Sequence, residues 1–534
     1  MFRGIEMILR GRDPREAWIW AQRICGVCTM VHAIASVRAV EDALGVEVPD
    51  NARIVRNLIA GAQMVQDHVV HFYHLHALDW VDVASALKAD PAKTSQIAQS
   101  ISDYEKSSAS FFRTIQQRVK GVVDSGQLSL FASGYWGHPA YQLPPEVNLL
   151  AVAHYLEALA WQKDFIRIHA VLGGKNPHPQ TFLVGGMATV MDPNEPAAVI
   201  NPERITFLRQ LAKEARRFVE QVYIPDVLAV APFYKDWFGR GEGTGNFLAY
   251  GDFSSGNQKD PNTFLFPRGA ILNRDLTQVH PVDAAKITEF VTHSWYEYSN
   301  GDSNGKHPSQ GETNPKYTGP KPPYDQLDVD KKYSWLKASR YDGKPMEVGP
   351  LARMIVGYAA GQKEIRELVD GALKKLNAPA TALFSTLGRI AARALETQLM
   401  ARHLEAWVEE LGSNLAHGKV TIFNPVRWDP STWPSSSAGY GWHEAPRGAL
   451  GHWIEIEGRS IKNYQAVVPS TWNAGPRDSL GQRGIYEASL LNTPVADPER
   501  PVEILRTIHS FDPCIACAVH VIDAKGREYS LPRA

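Results

Sequence analysis

Apolar residues recur every three or four positions along much of the chain, and this spacing predicts long helices. One of the longest runs from about Thr381 to Leu411 and carries leucines along its length. Asp13-Pro14 supplies an N-cap followed by proline at the first helical position, so a helix is predicted from there to Leu44, where Gly45 ends it. Three further helices are predicted at about 52–78, 144–173 and 202–222.

Two long stretches have a different character. Glycine, proline, asparagine, aspartate and tyrosine dominate from about 223 to 345, and the stretch from about 418 to 500 is similar. Such residues favour loops and short strands, with strand-like pieces at Trp453–Glu457 and Ala466–Pro469. The sequence therefore predicts a predominantly helical α+β fold, with a long-helix bundle as its core and irregular β-containing excursions.

The composition excludes several classes of protein. Hydrophobic residues make up 44% and charged residues 21% of the 534 residues, the balance of an ordinary globular protein. A formal net charge of -1, with no long basic run, argues against electrostatic binding of nucleic acid. Because no uninterrupted apolar run reaches about 18 residues and the first residues are charged throughout, neither a transmembrane helix nor a signal peptide is predicted.

The chemistry concentrates in four cysteines. They form two Cys-x-x-Cys pairs near opposite ends of the chain, each followed by a histidine: Cys25, Cys28 and His32, then Cys514, Cys517 and His520. Zinc sites of four cysteines usually have both pairs within a short ribbon, whereas almost the whole chain separates these two. On spacing alone, structural zinc and a redox dithiol stay open beside a redox metal centre, since soft thiolates suit nickel and low-valent iron.

The residues around both pairs resemble the large subunit of nickel–iron hydrogenases, in particular the membrane-bound uptake type. The two main motifs are Arg-Ile-Cys-Gly-Val-Cys-x-x-x-His at Arg23–His32 and Asp-Pro-Cys-x-x-Cys-x-x-His at Asp512–His520. Other stretches are similar along the whole chain, at Arg3–Glu6, His71–Trp80, Gly173–Pro179, Met346–Arg353 and Glu444–Gly448. The resemblance implies that family's large-subunit fold and an enzyme that reversibly oxidises H2 to protons and electrons.

The resemblance also implies the ligands of the metal centre. Nickel would be bound by Cys25, Cys28, Cys514 and Cys517. Of these, Cys28 and Cys517 would bridge to an iron that carries carbon monoxide and cyanide ligands. Cys514, a terminal ligand like Cys25, would be the proton acceptor. A magnesium ion, which prefers hard oxygen ligands, would be bound by Glu6, the backbone carbonyl of Ala466 and His520.

Several residues near the metals receive roles in the same way. Arg447 would lie over the open face of the nickel–iron centre, held by Asp67 and Asp512, where its guanidinium would polarise H2. His32 would form a hydrogen bond beside the cluster. A set of histidines on the second predicted helix does not share one helical face and is predicted to be structural: His68, His71, His74 and His76.

The predicted centre uses every cysteine of the chain, so none is left for ordinary iron–sulfur clusters. An iron–sulfur small subunit is therefore expected as an obligate partner, in a heterodimer or a dimer of heterodimers, with a membrane cytochrome b as electron acceptor. The resemblance implies maturation in the cytoplasm with nickel chaperones. It then implies a peripheral position on the outer, periplasmic face of the cell membrane, reached through the small subunit.

Two departures from the family's usual mature sequence stand out. Residues 1–520 are expected to form one large-subunit domain, and 521–534 a C-terminal extension that a maturation protease removes, so the sequence resembles a precursor. The family's N-terminal Arg-x-Glu-Gly-His motif, whose glutamate relays protons, does not occur, which predicts inefficient proton transfer for the sequence as written.

Two other functions stay open. One is a subunit that senses H2, against which the extension argues. The other is a structural subunit of a redox complex, held together by zinc.

Overall fold

The computed structural model describes residues 4–126, 131, 134–320 and 327–514, and the backbone of 521–522 and 528–529. Its α-helices are α1 (Ile5–Leu9), α2 (Ala17–Ala21), α3 (Val31–Leu44), α4 (Asp50–Val70), α5 (Val83–Ala86), α6 (Pro91–Ile101), α7 (Ala109–Asp124), α8 (Pro145–Phe165), α9 (Arg167–Gly173), α10 (Pro202–Phe218), α11 (Ile224–Val230), α12 (Pro350–Ala359), α13 (Lys363–Leu376), α14 (Thr386–Ala416), α15 (Pro469–Asn473), α16 (Ile485–Ser489) and α17 (Val502–His509).

The central pair of helices is α4 and α14, which pack against each other. Both are buried over most of their length, as expected of helices that are apolar on more than one face. The helix predicted from Thr381 is confirmed with shifted bounds. Its N-cap is Ser385, whose hydroxyl accepts a hydrogen bond from the Gly388 N–H at 3.0 Å, and such a cap stabilises a helix start by about 1 kcal/mol.

The prediction of one continuous helix from Asp13 to Leu44 is wrong at the cysteine motif. After α2 the chain makes a 3-10 turn at Gln22–Ile24, and Cys25 is extended, with φ −126° and ψ 140°. Helical structure resumes only at α3. The interruption takes both cysteines out of the helical path and directs them toward one point. Helical periodicity on either side conceals this loop in the sequence.

Two other predicted helices end in π-helical turns. α4 continues into a π-helix at His71–His76, and α10 into another at Val219–Tyr223. Such turns are rare in helices and are found mostly at functional sites. The helices predicted at 52–78 and 202–222 are therefore confirmed in position, while near their ends the hydrogen bonds run from i to i+5, which the sequence pattern did not indicate.

A regular antiparallel sheet lies where the sequence predicted irregular structure. Its strands are β9 (Ser436–Ala445), β10 (Gly448–Glu457) and β11 (Ser460–Val467), in the order β11-β10-β9. The strand predicted at Trp453–Glu457 is the second half of β10, and the one at Ala466–Pro469 overlaps only the end of β11. Strands buried on both faces lack the alternation that marks a half-exposed strand, and β10 is buried almost throughout.

The sheet packs closely on α3 because β9 presents glycine there. A Cβ at Gly441 would lie 2.1 Å from the Ala35 carbonyl oxygen, and one at Gly439 only 2.3 Å from the Ala43 nitrogen. The remaining strands form two-stranded pairs: β1 (Phe182–Leu183) with β2 (Gly186–Met187), β3 (Phe247–Ala249) with β6 (Gly269–Ile271), β4 (Asp252–Ser254) with β5 (Phe264–Phe266), β7 (Ile287–Phe290) with β8 (Ala338–Tyr341), and β12 (Val521–Ile522) with β13 (Glu528–Tyr529). Helices and small sheets together give the predicted α+β class.

We expect Gly61→Val to destabilise the protein because Gly61 of α4 faces side chains of α14 with no room for a side chain of its own. A Cβ there would lie 2.9 Å from the Met400 sulfur and 3.0 Å from Leu404 Cδ2. Overpacking of this kind costs about 1–3 kcal/mol, which a thermal melt of the two variants would detect. The matched control is Gly121→Val in α7, where nothing lies within 4 Å of the added atom. An equal loss in both variants would contradict the packing argument.

Candidate metal centre

Cysteines from opposite ends of the chain meet in the structure. The sulfur atoms of Cys25, Cys28 and Cys514 all lie within 4.8 Å of one another. Cys25 and Cys28 are buried, whereas Cys514 is exposed toward a cavity of about 480 Å³ that all three line. Cys517 and His520 lie outside the described residues, so their predicted places as ligands stay predictions.

The three thiols share protons unequally. Hydrogen bonds from the Cys28 and Cys514 thiols hold the pKa of Cys25 well below its ordinary value. The same contact with Cys25 raises the pKa of Cys28 well above its ordinary value. One thiolate held by two thiols is the arrangement from which a soft metal displaces the remaining protons, because the thiolate is the form that binds metal.

Buried arginines bring the C-terminal cysteine to this point. Arg506 in α17 donates to the Asp79 carbonyl at 2.8 Å, and its guanidinium lies 4.5 Å from the centre of the Trp80 ring. Arg393 in α14 donates to the Ser510 carbonyl at 2.9 Å. Neither arginine needs a carboxylate for these contacts, because aromatic faces and carbonyl oxygens accept the guanidinium. They anchor the segment that leads into Cys514.

Arg447 occupies the turn between β9 and β10 and is 3% exposed. It donates to the Asp512 carboxylate at 2.8 Å and to the Asp512 carbonyl at 2.9 Å, and lies 3.4 Å from the Asp67 carboxylate. Asp512 reaches both contacts with φ 58°, a conformation that aspartate tolerates better than most residues. The structure thus brings Arg447, Asp67 and Asp512 together, and Arg447 lines the cavity with the cysteines.

Burial sets the charges of this cluster. Desolvation raises the pKa of Asp67 well above its ordinary value, although the Arg447 charge opposes the shift. For Arg447 itself, desolvation lowers the pKa, but the Asp512 carboxylate and the nearby sulfurs together hold it well above its ordinary value. The guanidinium is therefore a permanent positive charge at the wall of the cavity.

Glu6 and Ala466 lie next to each other on the far side of the cavity. The Glu6 carboxylate accepts the Ala466 N–H at 2.9 Å and the Thr313 hydroxyl. Ala466 is on β11, an edge strand. Since the N–H and C=O of one residue in an antiparallel strand point to the same side, the Ala466 carbonyl faces the side on which Glu6 lies.

Sequence reasoning missed two charged residues in this part of the cavity. Lys337 donates to Gln465 Oε1 at 3.1 Å and lies 3.6 Å from the buried Glu289 carboxylate. Both residues lie in the stretch predicted as loops, where no motif drew attention to them. Their pairing places opposite charges side by side in the same cavity as Glu6.

The histidines near the site fall into two groups. His32 lines the cavity, and its Nδ1 lies 2.9 Å from Nε2 of His452. The histidines predicted to be structural have protein partners: His68 Nε2 lies 2.7 Å from Glu396, and the others contact backbone carbonyls of His509, Tyr155 and Arg506. Those contacts agree with a structural role.

Comparison with known proteins shows to which family this chain belongs. The sequence model of the family described as nickel-dependent hydrogenase matches residues 3–520. The chain belongs to this family. It is 52% identical to the uptake hydrogenase large subunit of Bradyrhizobium diazoefficiens and 49% identical to the hydrogenase-1 large chain of Escherichia coli, covering 99% of this chain and 90% of each relative. It also resembles the Ni-Fe-Se hydrogenase structure from D. vulgaris Hildenborough, with a TM-score of 0.73 at 34% identity over 97% of this chain and 92% of that one.

The chain is therefore the catalytic large subunit of a nickel–iron uptake hydrogenase. The predicted family, the α+β fold and the hydrogenase activity are confirmed. Nickel and iron follow from the family, as do H2 as substrate and a small subunit as partner. The hydrogen sensor and the zinc-stapled subunit, which the sequence left open, are set aside by this assignment.

Proposed function

We propose that the hydrogenase splits H2 where Cys25, Cys28 and Cys514 converge, with Cys517 as the fourth nickel ligand. The observation that carries this is the 4.8 Å cluster of sulfurs from opposite ends of the chain. Thiolates are the ligands that nickel and low-valent iron prefer, so the donor set fits both metals. Cys28, the more deeply buried of the first pair, would be shared with iron, together with Cys517.

Nickel and iron, the latter with carbon monoxide and cyanide ligands, would supply the redox chemistry that takes two electrons from H2. Side chains of the protein itself would accept and transfer the protons. Cys514 Sγ is exposed to the cavity, so it is the sulfur that a substrate proton reaches first. A terminal thiolate keeps a lone pair for that proton, which makes Cys514 the acceptor of the proton released by heterolysis.

Arg447 would stabilise the charge separation at the site. Its guanidinium is held by Asp512 and Asp67 and is buried, so it needs no reorganisation when charge develops nearby. A fixed charge in a water-poor site acts more strongly than the same charge in water. Arg447, Asp67 and Asp512 therefore act as one unit that faces H2 across from the sulfurs.

A magnesium ion fits between Glu6 and Ala466. One carboxylate and one carbonyl on the same side offer the oxygen ligands that a hard cation prefers. His520 would complete the protein ligands. The ion would join the N-terminal helix α1 to β11 and to the C-terminus, and would thereby hold the two chain ends that carry the cysteines.

Electrons would leave through the small subunit's iron–sulfur clusters in an obligate heterodimer, or a dimer of such heterodimers. Among the described residues, no helix is long and apolar enough to span a bilayer. Because relatives are named uptake hydrogenases, we place the complex peripherally on the outer face of the cell membrane, held through the small subunit, with a membrane cytochrome b as acceptor.

Maturation would precede activity. The family match ends at residue 520, and this supports a large-subunit domain of 1–520 followed by an extension, 521–534, that a protease removes. Nickel chaperones would load the site in the cytoplasm before the cut, so that Cys517 and His520 take their final places last.

The proposed site is tested by an infrared spectrum of the chain matured together with its small subunit. We expect bands from metal-bound carbon monoxide and cyanide, nickel and iron in equal amounts by mass spectrometry of the large subunit separated from its partner, and H2-dependent reduction of an artificial acceptor by the complex. A sample without the maturation proteins is the control. Zinc in place of nickel, without those bands, would overturn the proposal.

A further inference from the structure

A single buried amide links the cysteine loop, residues 25–30, to the charged cluster at the wall of the cavity. Gln63 lies in α4, one helical turn before Asp67, and is 1% exposed. Its Nε2 donates to the Asp67 carboxylate and, at 3.3 Å, to the carbonyl of Val27 in the cysteine loop. The hydroxyl of Thr29, in the same loop, donates to Gln63 Oε1 at 3.4 Å.

The neighbours of this amide fix which of its ends carries the nitrogen. The Val27 carbonyl can only accept a hydrogen bond, and the same holds for the Asp67 carboxylate in its charged form. Both lie at one end of the Gln63 side chain, so that end is the NH2 group. The other end faces the Thr29 hydroxyl, which can donate to the amide oxygen. Gln63 is therefore a donor toward Asp67, in a direction set by the cysteine loop.

Packing alone does not explain a glutamine at this position. Burial of an amide costs free energy unless hydrogen bonds within the protein replace those it makes to water. The neighbours of Gln63 along α4 are apolar and buried, among them Ile59, Ala60, Ala62 and Met64. An unbranched apolar side chain such as methionine would fill the same space without that cost. The choice of glutamine therefore points to its hydrogen bonds rather than to its shape.

The Asp67 carboxylate gains a second fixed contact from this amide. Its Oδ2 lies 3.4 Å from Arg447 Nη1, a long contact, whereas Arg447 donates to Asp512 twice, at 2.8 and 2.9 Å. The hydrogen bond from Gln63 to Oδ1 stabilises the charged carboxylate and limits rotation of the carboxyl group. It thus keeps Oδ2 directed at Nη1, the guanidinium nitrogen outside the two Asp512 contacts.

We propose that Gln63 is a positioning residue for H2 oxidation, which holds Asp67 against Arg447 and ties that pair to the cysteine loop. This inference rests on the proposed function, because Gln63 would act through the Asp67–Arg447 pair assigned there. A fixed charge contributes most when it does not have to reorient as charge develops nearby. One amide would thereby hold the guanidinium in register with the loop that carries two of the proposed nickel ligands.

The direct test is Gln63→Leu in the complex matured with its small subunit. We expect turnover per nickel to fall about 10-fold, the lower end of the range for outer partners at metal sites. The KM for H2 should stay unchanged, because H2 forms no hydrogen bonds with this pair. Nickel and iron in the separated large subunit should match those of the unsubstituted chain. Gln63→Met, which keeps the unbranched shape without the amide, should behave alike and replaces the leucine variant if that variant does not fold.

A double-variant cycle with Asp67→Asn shows whether Gln63 acts through Asp67. If it does, the combined variant turns over no more slowly than Asp67→Asn alone. The melting temperature of the full chain before metal loading supplies a readout that needs no metal. There, Gln63→Leu should lower the melting temperature more in the unsubstituted chain than in the Asp67→Asn background, because a hydrogen bond to a charged acceptor is the stronger one.

The matched control is Gln116→Leu in α7. The Gln116 amide donates to the backbone carbonyls of Ala86, Leu87 and Ala89, and Gln116 does not line the cavity of the metal centre. Its loss should lower the melting temperature and leave turnover per nickel intact. An equal loss of turnover in Gln116→Leu and Gln63→Leu would overturn the proposal, because any broken amide contact would then have the same effect.

Three further results would also overturn it. The first is full turnover per nickel in Gln63→Leu. The second is loss of nickel or iron from that variant, since Gln63 would then hold the ligand loop and not Asp67. The third is additivity with Asp67→Asn, in turnover or in melting temperature. Normal turnover of Asp67→Asn, or absence of carbon monoxide and cyanide bands from the unsubstituted complex, would instead refute the proposed function itself.

Discussion

Replacing Arg447 with lysine should reduce H2 oxidation by about 100-fold or more, the scale on which positioned groups contribute to proton and charge management at active sites. Lysine keeps the positive charge but cannot contact the Asp512 carboxylate and carbonyl together, as the Arg447 guanidinium does at 2.8 and 2.9 Å. The ammonium would also stop short of Asp67. The measurement is H2-dependent reduction of an artificial acceptor by the matured complex, alongside its nickel and iron content.

Metal content should remain intact in this variant, because Arg447 is not proposed as a ligand. The matched control is Arg340→Lys. Arg340 is equally buried and is paired with Asp478 at 2.7 Å, outside the cavity of the metal centre. Unchanged turnover in Arg447→Lys would rule out its role in catalysis, and an equal loss in both variants would show that buried arginine pairs matter here for folding alone.

The second large effect is expected from Cys28→Ser, which should lose both nickel and iron. Loss of an outer partner of a metal ligand already costs 10–100-fold in affinity, so exchanging a shared soft ligand for a hard hydroxyl should cost more than about 100-fold. Cys28 is 4% exposed and lies within 4.8 Å of both other described sulfurs, so no water can take its place without moving them. Mass spectrometry of the large subunit, separated from the iron–sulfur small subunit, measures both metals.

Thr29→Ser serves as the control, since Thr29 is the buried neighbour of Cys28 and this change removes only a methyl group. It should retain both metals. If Cys28→Ser kept stoichiometric nickel and lost only iron, Cys28 would be an iron ligand but not a shared one. Retention of both metals would contradict the proposed centre as a whole.

Two features of the fold show where sequence patterns succeed and fail. The helix predicted near Thr381–Leu411 was found with its core intact, because a long run of apolar residues at helical spacing leaves no competing structure. The sheet at 436–467 was predicted only in part, as the pieces at Trp453–Glu457 and Ala466–Pro469, because β10 is buried almost throughout and carries no alternation. The interruption at Cys25–Cys28 was missed for the opposite reason, since helical periodicity continues on both sides of it.

The residues of the site also fall into those that sequence motifs identified and those that they did not. Motifs in the sequence identified the cysteines, Arg447, Asp67, Asp512 and Glu6, because each motif is a short run of residue types with specific chemistry. Lys337, Glu289, His452 and Tyr464 stand in no such run. Their chemistry arises from contacts with residues 12 to 420 positions away along the chain, which no short motif contains.

By itself, the sequence determined which chemistry is available: it holds four thiolates in two pairs, and the motifs around them resemble those of nickel–iron hydrogenases. Because the predicted centre uses all four, another subunit must supply any iron–sulfur clusters. Only the tertiary structure decided how that chemistry is arranged. Buried arginines draw the C-terminal segment to the N-terminal cysteine loop, and the packing of α3 on the sheet joins His32 to His452 and Tyr464. The reason is physical, because residue types set which bonds are available, whereas packing and burial set which of them form.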